Sequence, residues 1–175
     1  MIALPIGRQA FDFDCGAKAL QVVFRYYGID VREDTMVKEL GSDKNGTSVK
    51  NMVAMAEKYG FHVVTRCGTS LRTAKHYIDD GYPVIVLLQA WAERPMTLKD
   101  WREDDDDGHY AILIGYRNNI FVFEDPSSIR RTWLRKSEFL ARWHDVDPRT
   151  GERYDRFSIV LKGKQPAQSK IEHMD

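Results

Sequence analysis

Cysteine is scarce in this chain, with two in 175 residues, Cys15 and Cys67. Two thiols make no disulfide framework for a domain of this size. The fold must therefore rest on burial, and the thiols are read as reduced, as in the cytoplasm. Net charge is missing too. Lys plus Arg and Asp plus Glu each number 26, so no overall field draws the chain to nucleic acid or anionic lipid. No apolar run approaches the ~20 residues that span a bilayer. The opening "MIALPIG" lacks the basic segment, the apolar length and the small-residue cleavage site of a secretory signal. No internal repeat or Pro/Ser-rich linker divides the sequence. What is present, 43% apolar and 30% charged residues, is the composition of an ordinary globular domain long enough to bury a core.

Hydrophobic spacing splits the chain in two. The first half predicts helices. Asp14 is a candidate N-cap, after which Gly16, Leu20, Val23, Phe24 and Tyr27 recur at helical spacing up to Gly28. A short helix from Glu33 to Leu40 stops at Gly41. A third is capped by Thr47 or Ser48, with Val49, Met52, Val53, Ala56 and Tyr59 on one side and Gly60 as its stop. From Phe61 the period changes. "FHVVTR" reads as a strand, "SLRTAKHYIDDG" as a helix and "PVIVLLQ" as a central strand. "HYAILIGY" and "IFVFED" flank the turn signal "RNN", "KSEFLARW" is a short helix and "RFSIVLK" a last strand. Helices first and an antiparallel sheet later predict an α+β domain over residues 1–163. Residues 164–175 read as a polar, loose tail.

The stretch "RQAFDFDCGAKAL", Arg8 to Leu20, sets Cys15 at the first position of the predicted helix. A free cysteine is most often a small buried apolar residue. Against that, unpaired N–H groups and the positive end of the dipole favour a thiolate at a helix start. Gly16 and Ala17 leave room for a carbonyl to approach the sulfur, while Asp12 and Asp14 oppose negative charge there. Cys67 has no C-x-x-C partner and reads as structural.

A thiolate nucleophile needs an imidazole and a group to orient it. His62 falls in a strand, His76 on a helix, His144 in a loop and His173 in the tail, each with an ordinary reading. His109 differs: it opens an apolar strand directly after Gly108. If Arg117 to Asn119 form a three-residue loop with Asn119 left-handed, Tyr116 pairs with Ile120, Gly115 with Phe121 and Leu113 with Phe123. His109 then lies opposite Ser127, with Asp125 as its diagonal neighbour on the same face. A two-residue loop would send Asp125 to the other face. Asp125 also has a plainer reading, as the start of the "DPSS" turn. The Gln9 side-chain amide is a candidate partner for the Cys15 N–H in holding an oxyanion.

Gln9 to Gly16 as "QAFDFDCG", His109 in "GHYAILIGY" and Asp125 in "EDPSS" together resemble the bacteriocin-processing, double-glycine-leader cysteine peptidases. The resemblance extends over roughly residues 5 to 162 and includes the six-residue step from Gln9 to Cys15. It implies a papain-like fold, with N-terminal helices packed on an antiparallel sheet. It implies Cys15 as nucleophile, His109 as base and then acid, Asp125 as orienter and Gln9 as oxyanion donor. Proteolysis after Gly-Gly in a leader peptide follows, with a peptide or protein substrate and no metal or organic cofactor. Two departures stand out. With no transmembrane or ATPase segment, the sequence is expected to be a stand-alone domain, for which a transporter would be a separate partner. An acidic insertion, "KDWREDDDDGH", precedes His109. For Asp104 to Asp107 a solvated loop, a lid, selection of basic substrates and a raised His109 pKa all stay open, and calcium binding lacks the spaced ligand pattern. Trp91 and Trp101 flank this segment as candidate cleft residues. An acyltransferase or amidase on the same scaffold, and a non-catalytic peptide-binding module, are the rival functions.

Overall fold

Helix α1 (Cys15–Tyr26) forms where Leu20, Val23, Phe24 and Tyr27 recur, and all four are buried in the computed structural model, which describes residues 1–167. The chain leaves the helix through Gly28 at φ 78°, a left-handed conformation glycine adopts without strain. Helix α2 (Glu33–Leu40) ends at Gly41, also left-handed. Helix α3 (Val49–Lys58) is capped by Ser48, whose hydroxyl accepts the Asn51 N–H. Its buried face is Met52, Met55 and Ala56, with Val49 and Val53 only partly covered.

The rest of the chain runs β1 (His62–Arg66), α4 (Leu71–Asp79), β2 (Val84–Gln89), α5 (Leu98–Glu103), β3 (Gly108–Arg117), β4 (Ile120–Glu124), β5 (Thr132–Arg135), α6 (Lys136–Arg142), β6 (His144–Val146), β7 (Arg153–Asp155) and β8 (Ser158–Lys162). Six strands make one antiparallel sheet in the order β1-β8-β2-β3-β4-β5, and β6 and β7 form a separate ribbon. Helix α1 packs on β3 and is flanked by α2 and α3. The architecture is α+β, as expected. "PVIVLLQ" is the buried interior strand β2. Helix α5, strand β5 and the β6–β7 ribbon, of three to six residues each, are too short to declare a period. Among the described residues no helix is long and apolar enough to cross a membrane. Most of the expected tail, from residue 168 on, lies outside the described residues; before it, the Ala167 N–H donates to the Tyr26 carbonyl at 2.8 Å.

The β3–β4 hairpin departs from expectation and still reaches the expected result. Arg117 pairs with Ile120, Tyr116 with Phe121 and Gly115 with Val122. The loop is therefore two residues, and Asn118, not Asn119, takes the left-handed backbone, at φ 54°. Alone, that turn would put Asp125 on the wrong face. Between Gly115 and Leu113 the register shifts, leaving Ile114 as the extra residue of a β-bulge. Beyond it Leu113 faces Phe123 and Ile112 faces Glu124, the pairing a three-residue loop would have produced. The Ile114 carbonyl accepts the Ile2 N–H at 2.7 Å, so the N-terminal arm occupies the backbone group the bulge frees.

Candidate active site

Cys15 is the first residue of α1, and Asp14 holds the cap position without capping. The Asp14 carboxylate turns back and accepts the Ala10 and Phe11 N–H groups at 3.3 Å each. Burial pushes that carboxyl above its ordinary range, against the pull of those two N–H groups. Asp14 thus closes the loop leading into the helix and leaves the first helical N–H groups, that of Cys15 included, without an intrahelical partner. Gly16 is small for a different reason than expected. A Cβ there would lie 2.8 Å from Thr47 Cβ and 3.0 Å from the Tyr110 ring, so the glycine serves the packing of α1 on β3. Cys15 is 7% exposed and opens on a cleft lined by Gly46, Gly108, Asp105, Asp106 and Asp145.

His109 approaches Cys15 from β3. Its Nε2 donates to Asp125 Oδ1 at 2.8 Å, and both residues are buried. The same carboxylate accepts the Ser127 N–H at 3.0 Å and the Thr132 hydroxyl at 3.2 Å. With Nε2 committed, Nδ1 is the nitrogen left for the sulfur, and Cys15 lies close enough to the ring to influence its protonation. Burial disfavours charge on His109. The hydrogen bond to Asp125 and the neighbouring Cys15 outweigh it and push the imidazole up to about 9. Burial likewise opposes the Asp125 charge, but the bond from His109 and the Ser127 and Thr132 donors hold its carboxyl below the ordinary value. The structure therefore brings Cys15, His109 and Asp125 together in one chain of contacts.

Gln9 sits on the N-terminal arm beside this group, and none of its hydrogen bonds given by the structure reaches Cys15. Its backbone N–H donates to Pro126 O at 2.9 Å, its Nε2 to Phe11 O at 2.8 Å, and its Oε1 accepts the Ser127 hydroxyl at 2.9 Å. The arm is anchored further back by Glu124, whose carboxylate accepts the Gly7 N–H at 3.2 Å.

The acidic segment is held as a wall. Gln89 accepts the Asp107 N–H at 2.8 Å and donates to Asp145 Oδ1 at 2.8 Å. The His144 Nε2 donates to Asp104 O at 2.8 Å, and Arg153 pairs with Asp105 at 3.0 Å. His144 is thus a buried residue opening strand β6, not a loop histidine. The main groups that raise His109 are Asp125 and Cys15, not Asp104 to Asp107. Burial lifts the Asp145 carboxyl to about 6, with the Asp105 charge adding and Gln89 opposing. Among the described residues no group of His, Cys, Asp and Glu is arranged to hold a metal ion. Trp101 is buried under the Arg142 guanidinium, 3.8 Å from its ring centre, and is no cleft residue. Trp91 is more than half exposed and, with Trp133, lines an apolar pocket on the other side of His109 and Asp125. Cys67 is exposed, which the structural reading did not anticipate. Ser127, Thr132, Gln89 and Asp145 were not singled out from sequence. Only Ser127 carried a signal, since an Asp two residues before it in a turn accepts its N–H as an Asx-turn does.

A sequence profile of the Peptidase_C39 like family matches residues 3–149. The chain is 26% identical over 140 residues to the "Lactococcin transport/processing ATP-binding protein LcnC-like" of Lactococcus lactis subsp. lactis (strain IL1403). The match takes in 79% of this chain and 17% of that protein, so the chain spans less than a fifth of its relative's length. The peptidase domain of Streptococcus ComA, a bi-functional ABC transporter involved in a quorum-sensing pathway, superposes with a TM-score of 0.66 at 25% identity, covering 92% of this chain and 98% of that one. A double glycine motif protease from an AMS/PCAT transporter, solved with its leader peptide, superposes at 0.65 with 18% identity, over 94% of this chain and 93% of its own; at that identity it shows the fold alone. By the extent of the family match and the agreement of fold, the chain belongs to the Peptidase_C39 like family and is a cysteine peptidase.

Proposed function

We propose that Cys15 is the nucleophile, His109 the acid–base, Asp125 its orienter and Gln9 an oxyanion donor. The observation that carries this reading is His109 bonded to Asp125 through Nε2, with Cys15 beside the same ring and Nδ1 left to serve it. The sulfur attacks the peptide carbonyl, and the Cys15 N–H and Gln9 amide take the negative oxygen. His109 gives its Nδ1 proton to the leaving amine, leaving a thioester on Cys15. His109 then takes a proton from water, whose oxygen attacks the thioester and frees the carboxylic acid and the thiol. The substrate is a leader peptide cut after Gly-Gly, a choice supported by the leader peptide bound to the AMS/PCAT relative and by the processing function in the Lactococcus relative's name. A transporter receiving the cargo is the corresponding partner. The cytoplasm suits a nucleophile that must stay a thiol.

Iodoacetamide at pH 6 tests the thiol chemistry. Cys67 is the more exposed, but burial and the Glu152 and Asp155 charges push its thiol up. Cys15 is expected to label much faster, and His109→Ala to slow it. Equal rates at the two cysteines would point to a peptide-binding module. Turnover of Gly-Gly peptides, set beside general amide and ester substrates, separates the peptidase from an acyl-transfer enzyme.

A further inference from the structure

Ser127 stands where the two parts of the site meet. Its N–H donates to Asp125 Oδ1 at 3.0 Å, the oxygen that also accepts the hydrogen bond from His109 Nε2. Its hydroxyl donates to Gln9 Oε1 at 2.9 Å. The arm backbone is tied at the same turn, through the Gln9 N–H on Pro126 O. A primary amide has an accepting and a donating end. With Oε1 held by the hydroxyl and one Nε2 hydrogen on Phe11 O, the amide can neither flip nor swing, and the second Nε2 hydrogen has a fixed direction. A donor to an oxyanion helps in proportion to its being set before charge develops. Gln9 is half-buried, so without the hydroxyl its Oε1 would turn to water and the amide would rotate.

We propose that Ser127 is a positioning residue that sets the Gln9 amide toward the oxyanion through its hydroxyl, while its backbone N–H separately supports Asp125. This rests on the catalytic reading of Cys15, His109, Asp125 and Gln9 given above. Ser127→Ala removes the hydroxyl and keeps the N–H, which makes the two contributions separable. The test measures kcat, KM and the alkaline pH limb on a Gly-Gly peptide for Ser127→Ala, Ser127→Thr, Gln9→Ala and the Gln9→Ala/Ser127→Ala pair, with Cys15 alkylation alongside. Ser127→Ala is expected to lower kcat about tenfold, a part of what losing an oxyanion donor costs. KM, the alkaline limb and the alkylation rate are expected to stay in place, and Ser127→Thr to recover most of the activity. In the Gln9→Ala background, adding Ser127→Ala should change kcat by less than about twofold, as coupled sites do. An equal loss in both backgrounds, or a displaced alkaline limb, overturns the inference, because Ser127 would then act through the Asp125 turn. A wild-type protein that turns over no peptide, amide or ester overturns the catalytic reading itself, and this inference falls with it.

Discussion

The proposed acid–base part of the site and the proposed oxyanion part are built in opposite ways. His109 and Asp125 stand on or next to sheet strands, both buried, with the carboxylate taking three donors from the ring, Ser127 and Thr132. Gln9 rides on an N-terminal arm with no strand of its own, held by hydrogen bonds to the 125–127 turn, Phe11 and, at Gly7, Glu124. A proton relay has to keep one nitrogen on the acid and the other on the sulfur, and strands fix that direction. An oxyanion donor has to face an atom that arrives with the substrate, and an arm tethered at several points can be fixed there without a fold of its own. Such a division makes the two parts fail differently when mutated.

Asp125→Asn should have the largest effect that leaves the nucleophile in place. An amide in its position cannot hold the imidazolium, and the corresponding change in serine-type triads costs about 10⁴ in kcat. We expect a loss of about 10³–10⁴ here, together with a fall in the pH at which activity is lost on the alkaline side. A loss under about tenfold, with the limb unmoved, would mean that Asp125 merely starts its turn. Gln9→Ala, on the arm, should cost about 10²–10³ in kcat and leave the limb where it was. Equal displacement of the limb by both substitutions would erase the distinction between the two parts.

The alkaline limb of the unaltered protein sharpens the same contrast. In the proposed mechanism His109 carries a proton to give to the leaving amine, and its folded pKa is raised to about 9. Activity should hold up to that region and then fall about tenfold per unit as the proton is lost. The same shift acts on stability. A histidine raised from its ordinary 6.5 adds stability that is full below about 6.5 and is lost as pH rises through about 9. Asp125 has the opposite sign: its carboxyl is lowered, so its contribution is present above the ordinary carboxylate range and lost as pH falls through its folded value. Melting temperatures recorded from about pH 2 to pH 10 should therefore decline at both ends, and Asp125→Asn should flatten both declines.

Much of this was legible because long elements repeat their signal. Helices α1 to α4 and strands β1 to β4 and β8 each carry enough periodic residues, and enough glycine or serine punctuation, to be placed within two residues. Cys15, His109 and Asp125 stand out in sequence as residue types that thiol chemistry requires, at element starts and ends, and the structure places the three side by side. The bulge was not legible. Ile114 is an apolar residue in an apolar strand, and nothing in its type marks the extra position. The expected three-residue loop reached the correct face for Asp125 only because the bulge supplies the same shift as the missing loop residue. Asp14 was misread because a capping residue type at a cap position can turn either way, and here the Ala10–Phe11 turn competes for its carboxylate. Likewise Gly16 looked like space left for a substrate, since sequence cannot show that Thr47, 31 positions away, fills that space.

That last correction provides the smallest expected effect and bears on how the two parts are joined. Gly16 follows Cys15 and lets α1 close on Thr47 and Tyr110, and Tyr110 follows His109 on β3. Gly16→Ala inserts a methyl at 2.8 Å from one side chain and 3.0 Å from the other, so α1 must lift or the ring must turn. Overpacking of this kind costs about 1–3 kcal/mol, offset in part by alanine's better helix propensity, worth about 1 kcal/mol. A net loss visible in denaturant midpoints is expected, with a parallel fall in the Cys15 alkylation rate as the sulfur moves from His109. Gln9→Ala should instead lower turnover without moving the midpoint, because its arm is tethered outside that contact. A Gly16→Ala protein with unchanged midpoint and unchanged alkylation would show that α1 has slack at Cys15, and the sulfur–imidazole contact would then owe nothing to this packing.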